Sequence, residues 1–314
     1  MKVAVLINNY NYEKFVSEAI DSVFEQTYAV SELIVVDDGS TDNSRLLVQE
    51  KFDERPDLNT LLVAQENAGQ LSAFVSGVRA CTADLIFFLD ADDLFKKNHV
   101  ESIVEAANRN PSCEFFFSRA EEFGRSSSAL VQNYPEGDLG QTQMFTLLGT
   151  GLVDTFVGGV TSTICMRSGL AHRVLANLSH FYGSWRTRAD DFLVQGSSLL
   201  GARKFQVAEA SVRYRLHGQN AFAGQTQSCS GRAERFSRSA ALVGHYEKVI
   251  PLGPNSVVAL GFEYQGLGRH SPFRGRFWKI ALLGNIEFIL RLRILWLMLK
   301  SHLKPERPVT ENPG

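Results

Sequence analysis

The sequence predicts an α/β fold, a Rossmann-like, mostly parallel sheet flanked by helices. Three observations predict it. Short apolar runs recur through the first 120 residues, and they are continuous rather than alternating, as strands covered on both faces are. Segments with helical spacing separate them. Two of the runs end directly in aspartates, and ligands in open α/β sheets bind beyond the carboxyl ends of strands.

Taken in order, Val3–Ile7 is the first strand, and Tyr12–Gln26 follows as a helix with Phe15, Ala19, Ile20, Val23 and Phe24 on one side. Glu32–Val36 is the second strand. Gly39 permits a sharp turn after it, and Ser40 or Thr41 caps a helix running towards Phe52, with Asp42 near its positive end. Leu61–Ala64 is the third strand, Gln70–Ala80 a helix and Leu85–Leu89 the fourth strand. His99–Arg109 is a helix stopped by Asn110-Pro111, and Glu114–Ser118 is the fifth strand. Residues 121–160 read as loops around one helix near Gln143–Leu148; structure resumes over 160–220, and 226–250 is helical. The expected division is a body over 1–225, with halves 1–120 and 121–225, and a helical extension over 226–314.

With 314 residues, 44% apolar and 21% charged, the chain can build a packed core. A net charge of −2 argues against nucleic acid as a partner. The charge is uneven: residues 1–225 hold 19 Lys/Arg against 28 Asp/Glu, and residues 274–307 hold 8 against 2. Cys81, Cys113, Cys165 and Cys229 form no close-spaced pair, which argues against zinc and disulfides and fits a reducing, cytoplasmic compartment. The first apolar run is too short for a signal-peptide core. Near the other end, Phe277–Leu299 is rich in Leu, Ile, Phe and Trp but interrupted by Lys279, Glu287, Arg291 and Arg293, so it is too charged to span a bilayer. On one helical wheel its charges share half the circumference, as in an amphipathic helix lying on a membrane through 277–300. Packing on the body or against a second copy of the chain fits the same pattern.

The strongest chemical signal is Leu89-Asp90-Ala91-Asp92-Asp93. Three carboxylates in four residues repel one another, and a hard divalent cation such as Mn²⁺ or Mg²⁺ relieves that repulsion and binds phosphate oxygens as well. A plain acidic helix cap is the structural alternative. The second signal is Asp37-Asp38-Gly39-Ser40, able to accept from a base or ribose, or simply to build a turn. The third is Asn8-Asn9-Tyr10-Asn11-Tyr12, a loop able to stack on a base. A phosphoacceptor aspartate is excluded, since that layout needs its acid pair after the first strand.

Together these residues resemble the inverting family 2 glycosyltransferases of the GT-A fold, of the kind that build bacterial surface polysaccharides. Tyr10-Asn11, Ala19-Ile20-Asp21-Ser22-Val23, Gln26-Thr27 and Glu32–Asp42 follow the family's opening signature; Asn67-Ala68-Gly69-Gln70, Ser72-Ala73 and Gly77 follow its next helix; Leu89–Asp93 is its Asp-x-Asp motif. Phe74-Val75 stands where the family usually has Arg-Asn. The close match covers residues 3–95.

The resemblance implies that Asp38 binds the nucleobase beside Asn8, Asn9 and Tyr10. It implies that Gly69, Gln70, Asp90, Ala91, Asp92 and Arg215 complete a nucleotide-sugar site, and that Asp92, Asp93 and His217 hold the metal. Arg215 and His217 lie in Tyr214-Arg215-Leu216-His217-Gly218-Gln219-Asn220, similar to the family's Tyr-Arg-x-His segment. Asp190-Asp191 replaces the family's Glu-Asp, with Asp191 the implied base, and Gly158–Thr163 is expected near the acceptor. The implied reaction moves a sugar from a nucleoside-diphosphate sugar to a hydroxyl of a glycan or lipid-linked acceptor, at the cytoplasmic face of a membrane. The competing readings are a sugar nucleotidyltransferase, against which the Asn8–Tyr12 loop offers neither Gly nor Arg, and a non-catalytic nucleotide-sugar-binding scaffold.

Overall fold

The computed structural model describes residues 1–124, 130–131, 134–217, 229–250, 253, 255–267, 271 and 273–303. The chain opens with β1 (Val3–Asn9), α1 (Val16–Phe24), β2 (Glu32–Asp37), α2 (Ser44–Asp53), β3 (Asn59–Ala64), α3 (Gln70–Ala80) and β4 (Leu85–Asp90). β5 (Leu94–Phe95), α4 (His99–Arg109), β6 (Phe115–Gly124), β7 (Leu130–Val131), β8 (Gly137–Gly140) and α5 (Gln143–Gly149) follow. Then come β9 (Ile164–Arg167), α6 (Ser168–Val174), α7 (Ser197–Leu199) and β10 (Lys204–Leu216), and four helices: α8 (Cys229–Glu247), α9 (Ala259–Gly266), α10 (Arg274–Leu283) and α11 (Phe288–Leu303).

One sheet carries the strands in the order β3-β2-β1-β4-β9-β6-β10-β5. β1 pairs parallel with β2 and β4, β2 with β3, and β6 with β10, while β9 is antiparallel between β4 and β6. The pleat splits the side chains of β1. Val3, Val5 and Ile7 enter a core under α1, α2 and α4; Ala4 and Leu6 enter the core on the other face, under α3, α5 and α6. All five are fully buried, which is why these runs are continuously apolar.

α8 to α11 complete that second core: Leu242, Tyr264, Phe277, Ile280, Ile294 and Met298 are buried in it. The C-terminal segment therefore shares its core with the sheet rather than forming one of its own. The single amphipathic helix expected over 277–300 is corrected. Gly284–Glu287 breaks the segment into α10 and α11, and Arg291 donates to the carbonyls of Leu282, Gly284 and Ile286, closing the corner. Among the described residues no helix is long and apolar enough to cross a membrane.

Lys204 opens β10 fully buried. Its ammonium donates to the carbonyls of Val157 and Val194 and lies 4.5 Å from the centre of the Phe115 ring, and burial pushes its pKa well down.

Candidate active site

β1 runs two residues further than its apolar pattern, so Asn8 and Asn9 are strand residues rather than loop. In register, Asn8 stands beside Asp90 of β4 and Asn9 beside Asp37 of β2. Two carboxamides thus lie between the two acidic clusters. Asn9 donates to Asp37 (2.8 Å) and Ser40 (3.1 Å) and is buried; Asn8 hydrogen-bonds Asp90, and its Oδ1 is buried without a partner.

The carboxylates of Asp90, Asp92 and Asp93 each offer an oxygen within 4.8 Å of the others. Asp90 accepts from Gln70 Nε2 (3.0 Å) and is pushed up to about 7, by burial first and then by the charge of Asp92. Asp93 is fully buried, accepts from Ser162 Oγ (2.6 Å) and the Arg215 N–H (2.8 Å), and is raised well above the usual range by burial and then by Asp92 and Asp90. His217 Nε2 lies 2.9 Å from Asp92, which also accepts from the Tyr12 hydroxyl.

Gln70 opens α3 and joins this cluster to the second acid pair: its Oε1 accepts from the Ala189 N–H (2.9 Å), and its own N–H donates to the Arg186 carbonyl (3.0 Å). Asp190 is half-buried and pushed up to about 7, by burial first and then by Asp191, with Asp90 also contributing. Asp191 is buried and ion-paired with Arg188 at 3.3 Å. Arg188 holds φ at +64°, the left-handed region that side chains avoid, and a π-helical turn follows at Phe192–Gly196. Lys204 meets the Val194 carbonyl inside that turn.

These groups line one cleft of about 910 Å³, a volume that suits a ligand of nucleotide-sugar size. It brings together Asn8, Asn9, Tyr10, Asp38, Gly69, Gln70, Asp90, Asp92, Asp190 and Asp191. Tyr10 is 46% exposed. Asp38 is buried and accepts from the N–H groups of Ala68 and Gly69 and from Gln65, so it holds the turn that leads into α3 as well as facing the cleft. Ala91 and Asp93 lie buried behind the cleft wall. The Arg215 guanidinium donates to Glu18 and to the Asp92 carbonyl and lies over the rings of Phe15 and Phe123, while its backbone N–H donates to Asp93. His217 touches Asp92 but does not line the cleft. Gly218, Gln219 and Asn220 lie outside the described residues. Val160 and Thr161 of the Gly158–Thr163 segment reach the cleft.

Sequence reasoning missed Arg186, Phe236 and the segment Thr150–Phe156, all in the cleft lining, and gave no role of their own to Tyr12 and Asn67, which also line it. Arg186 and Arg188, two cations beside an acid pair, were the available signal.

Gly69 holds φ at +95°, and a Cβ there would stand 2.5 Å from Arg186 Cα. Gly69→Ala is therefore expected to cost about 1–3 kcal/mol of stability and to displace the Arg186–Ala189 turn. Thermal melting and a donor-binding titration check both parts.

The profile described as Glycosyl transferase family 2 matches residues 4–165, more than half of the chain. This chain is a family 2 glycosyltransferase. The glycosyltransferase is 32% identical over 245 residues to an uncharacterised glycosyltransferase of Nostoc sp., covering 77% of this chain and 72% of that one. It is 34% identical over 125 residues to the Escherichia coli UDP-Glc:alpha-D-GlcNAc-diphosphoundecaprenol beta-1,3-glucosyltransferase WfgD, covering 40% of this chain and 48% of WfgD. Its fold is similar to S. aureus TarS 1–349 in complex with UDP-GlcNAc (TM-score 0.57, 17% identity, 96% of this chain and 80% of that one). It is also similar to the mannosyltransferase PcManGT of Pyrobaculum calidifontis with GDP-Man and Mn²⁺ (TM-score 0.53, 15% identity, 98% and 76%). The glycosyltransferase has the GT-A fold that its sequence predicts.

Proposed function

We propose that this glycosyltransferase moves a sugar from a nucleoside-diphosphate sugar, UDP-linked, to a hydroxyl of a glycan or lipid-linked acceptor, with inversion and with Mn²⁺ or Mg²⁺. The observation that carries the reading is the meeting, in one cleft, of the Asp90–Asp93 cluster and the Asp190-Asp191 turn, joined through Gln70. The UDP-Glc donor in WfgD's name and the UDP-GlcNAc complex of TarS support a UDP-linked donor.

The residues fit a divalent ion. Three carboxylates converge, burial holds Asp90 and Asp93 in a state that an added positive charge would relieve, and His217 stands against Asp92. Asp92, open to the cleft, would hold the ion with Asp93 and His217 behind it. When bound, the ion offsets the negative charge of the leaving diphosphate. Tyr10, with Asn8 and Asp38 beside it, receives the base. Asp191 accepts the proton of the acceptor hydroxyl as its oxygen bonds to the anomeric carbon and the bond to the diphosphate breaks. One such base, with no second carboxylate acting as a covalent nucleophile, gives inversion.

The test is nucleoside diphosphate release from a panel of activated sugars, with and without Mn²⁺ and acceptor. Release that needs the metal and rises with acceptor is expected. Sugar phosphate as product would indicate a nucleotidyltransferase, and no turnover with any donor a scaffold. On the acceptor side, Phe236 is 54% exposed, lines the cleft and packs against Gly151, where an added Cβ would meet its ring at 2.5 Å. Phe236→Ala is expected to raise the acceptor KM about tenfold through lost stacking, leaving the donor KM near wild type in steady-state kinetics.

A further inference from the structure

α11 is apolar on both sides. Ile294 and Met298 are buried in the core, while Phe288, Ile289, Leu292, Trp296 and Leu299 are each more than half exposed on the opposite side. Leu282 and Leu283, at the end of α10 and before the Gly284 corner, are 50% and 64% exposed. A helix apolar all round is ordinarily covered all round. Single exposed leucines are common, but five large apolar side chains on one exposed helix face, with two more at the adjoining corner, are not.

The charges around the surface say what covers it. Lys279, Arg293 and Lys300 are exposed, and among the described residues none has an acidic partner. Arg293 and Lys300 share the exposed face of α11, and Lys300 lies 4.8 Å from the centre of the Trp296 ring. Glu287 is the one acid between 274 and 303. Two copies meeting through this face would crowd cations together in an apolar contact, at a cost in repulsion and desolvation. A bilayer surface takes the same features without that cost. Apolar side chains enter the acyl boundary, Trp sits at head-group level, and long Lys and Arg side chains extend to anionic head groups.

We propose that the α10–α11 corner seats in the surface of an anionic lipid bilayer, as a monotopic anchor that lies in the interface without crossing it. The anchor is a corner built onto the core rather than a free helix, so the bilayer side is fixed relative to the sheet. The inference does not depend on which sugar is transferred.

The test is co-sedimentation of the full chain with vesicles of phosphatidylcholine alone or with phosphatidylglycerol added. Binding to the anionic vesicles, weakened by salt, is expected. Ile289→Glu with Leu292→Glu changes two exposed side chains; it is expected to lower binding at least about tenfold, with the thermal melt and nucleoside diphosphate release unchanged. Lys279→Gln, Arg293→Gln and Lys300→Gln are expected to cost about fivefold each and to flatten the salt dependence. The proposal is overturned if the wild type binds neither vesicle, or if the Glu pair binds as well as the wild type. It is also overturned if sedimentation velocity finds a dimer that the Glu pair dissociates while vesicles capture neither protein.

Discussion

Replacing Asp191 by Asn is expected to lower sugar transfer by about 10²–10⁴-fold, equivalent to about 3–5 kcal/mol of barrier, and to leave nucleotide-sugar affinity near wild type. The substitution keeps the shape of the side chain and an oxygen able to accept from Arg188, but removes the ability to take a proton. The donor's diphosphate is assigned to the other side of Gln70, beside Asp90 and Asp92, so its binding is spared. Single-turnover kinetics with a calorimetric donor titration separate the two effects. Asp190→Asn should lose far less. With Asp190 pushed up to about 7, that group is already partly protonated at neutral pH, and Asn resembles the protonated form. A larger loss for Asp190→Asn than for Asp191→Asn would exchange the two roles.

The second large effect is on stability as a joint function of pH and metal. Asp90 and Asp93 hold their protons more tightly folded than unfolded, because burial and neighbouring carboxylates penalise the charged form. Their contribution to stability is therefore full below about pH 4, the unfolded range, and is lost as the pH rises through about 7 for Asp90. Metal-free protein should melt at lower temperature at about pH 8 than at about pH 5, reflecting a loss of stability on the order of a few kcal/mol. Mn²⁺ should raise the melting temperature more at the higher pH, because less proton has to be displaced. Asp92→Asn removes one repelling charge, so it should stabilise the metal-free protein while abolishing both the Mn²⁺ shift and turnover. An Mn²⁺ shift of equal size in wild type and Asp92→Asn would remove Asp92 from the metal site.

The parallel half of the sheet was legible because burial on both faces forces β1, β2 and β4 into continuous apolar runs, and the acids that end β2 and β4 mark their carboxyl ends. β9 was not. Its four residues lie antiparallel between β4 and β6, a placement set by partners far away in sequence. β5, with two residues, has no period to read. Asn8 and Asn9 were read as loop because strand patterning counts apolar side chains, and here the strand continues under carboxamides that hydrogen-bond adjoining acids. Within the site, residue types near strand ends were readable, but connections were not. Nothing local tells that Gln70 spans from Asp90 to Ala189, that Arg215 turns its guanidinium towards Glu18, or that Phe236 of α8 leans over Gly151. Lys204 is the sharpest case, since a lysine at a strand start reads as surface and here is fully buried. The tail was misread because one wheel was drawn through Gly284, where the helix axis changes.

The mooring of α5 bears on how portable this catalyst is. Glu263 of α9 caps α5 through the N–H groups of Met144 and Phe145, Phe277 of α10 stacks on Phe145 at 4.6 Å, and Arg276 reaches the Asp154 carbonyl. The loop Thr150–Phe156, one bank of the cleft, thus hangs from the last quarter of the chain. A shortened enzyme ending near residue 225 would lose that suspension along with the helices that complete its second core, and should precipitate rather than survive as a smaller catalyst. Grafting the tail of a relative onto this body would be felt at the acceptor's doorway as well as at the periphery.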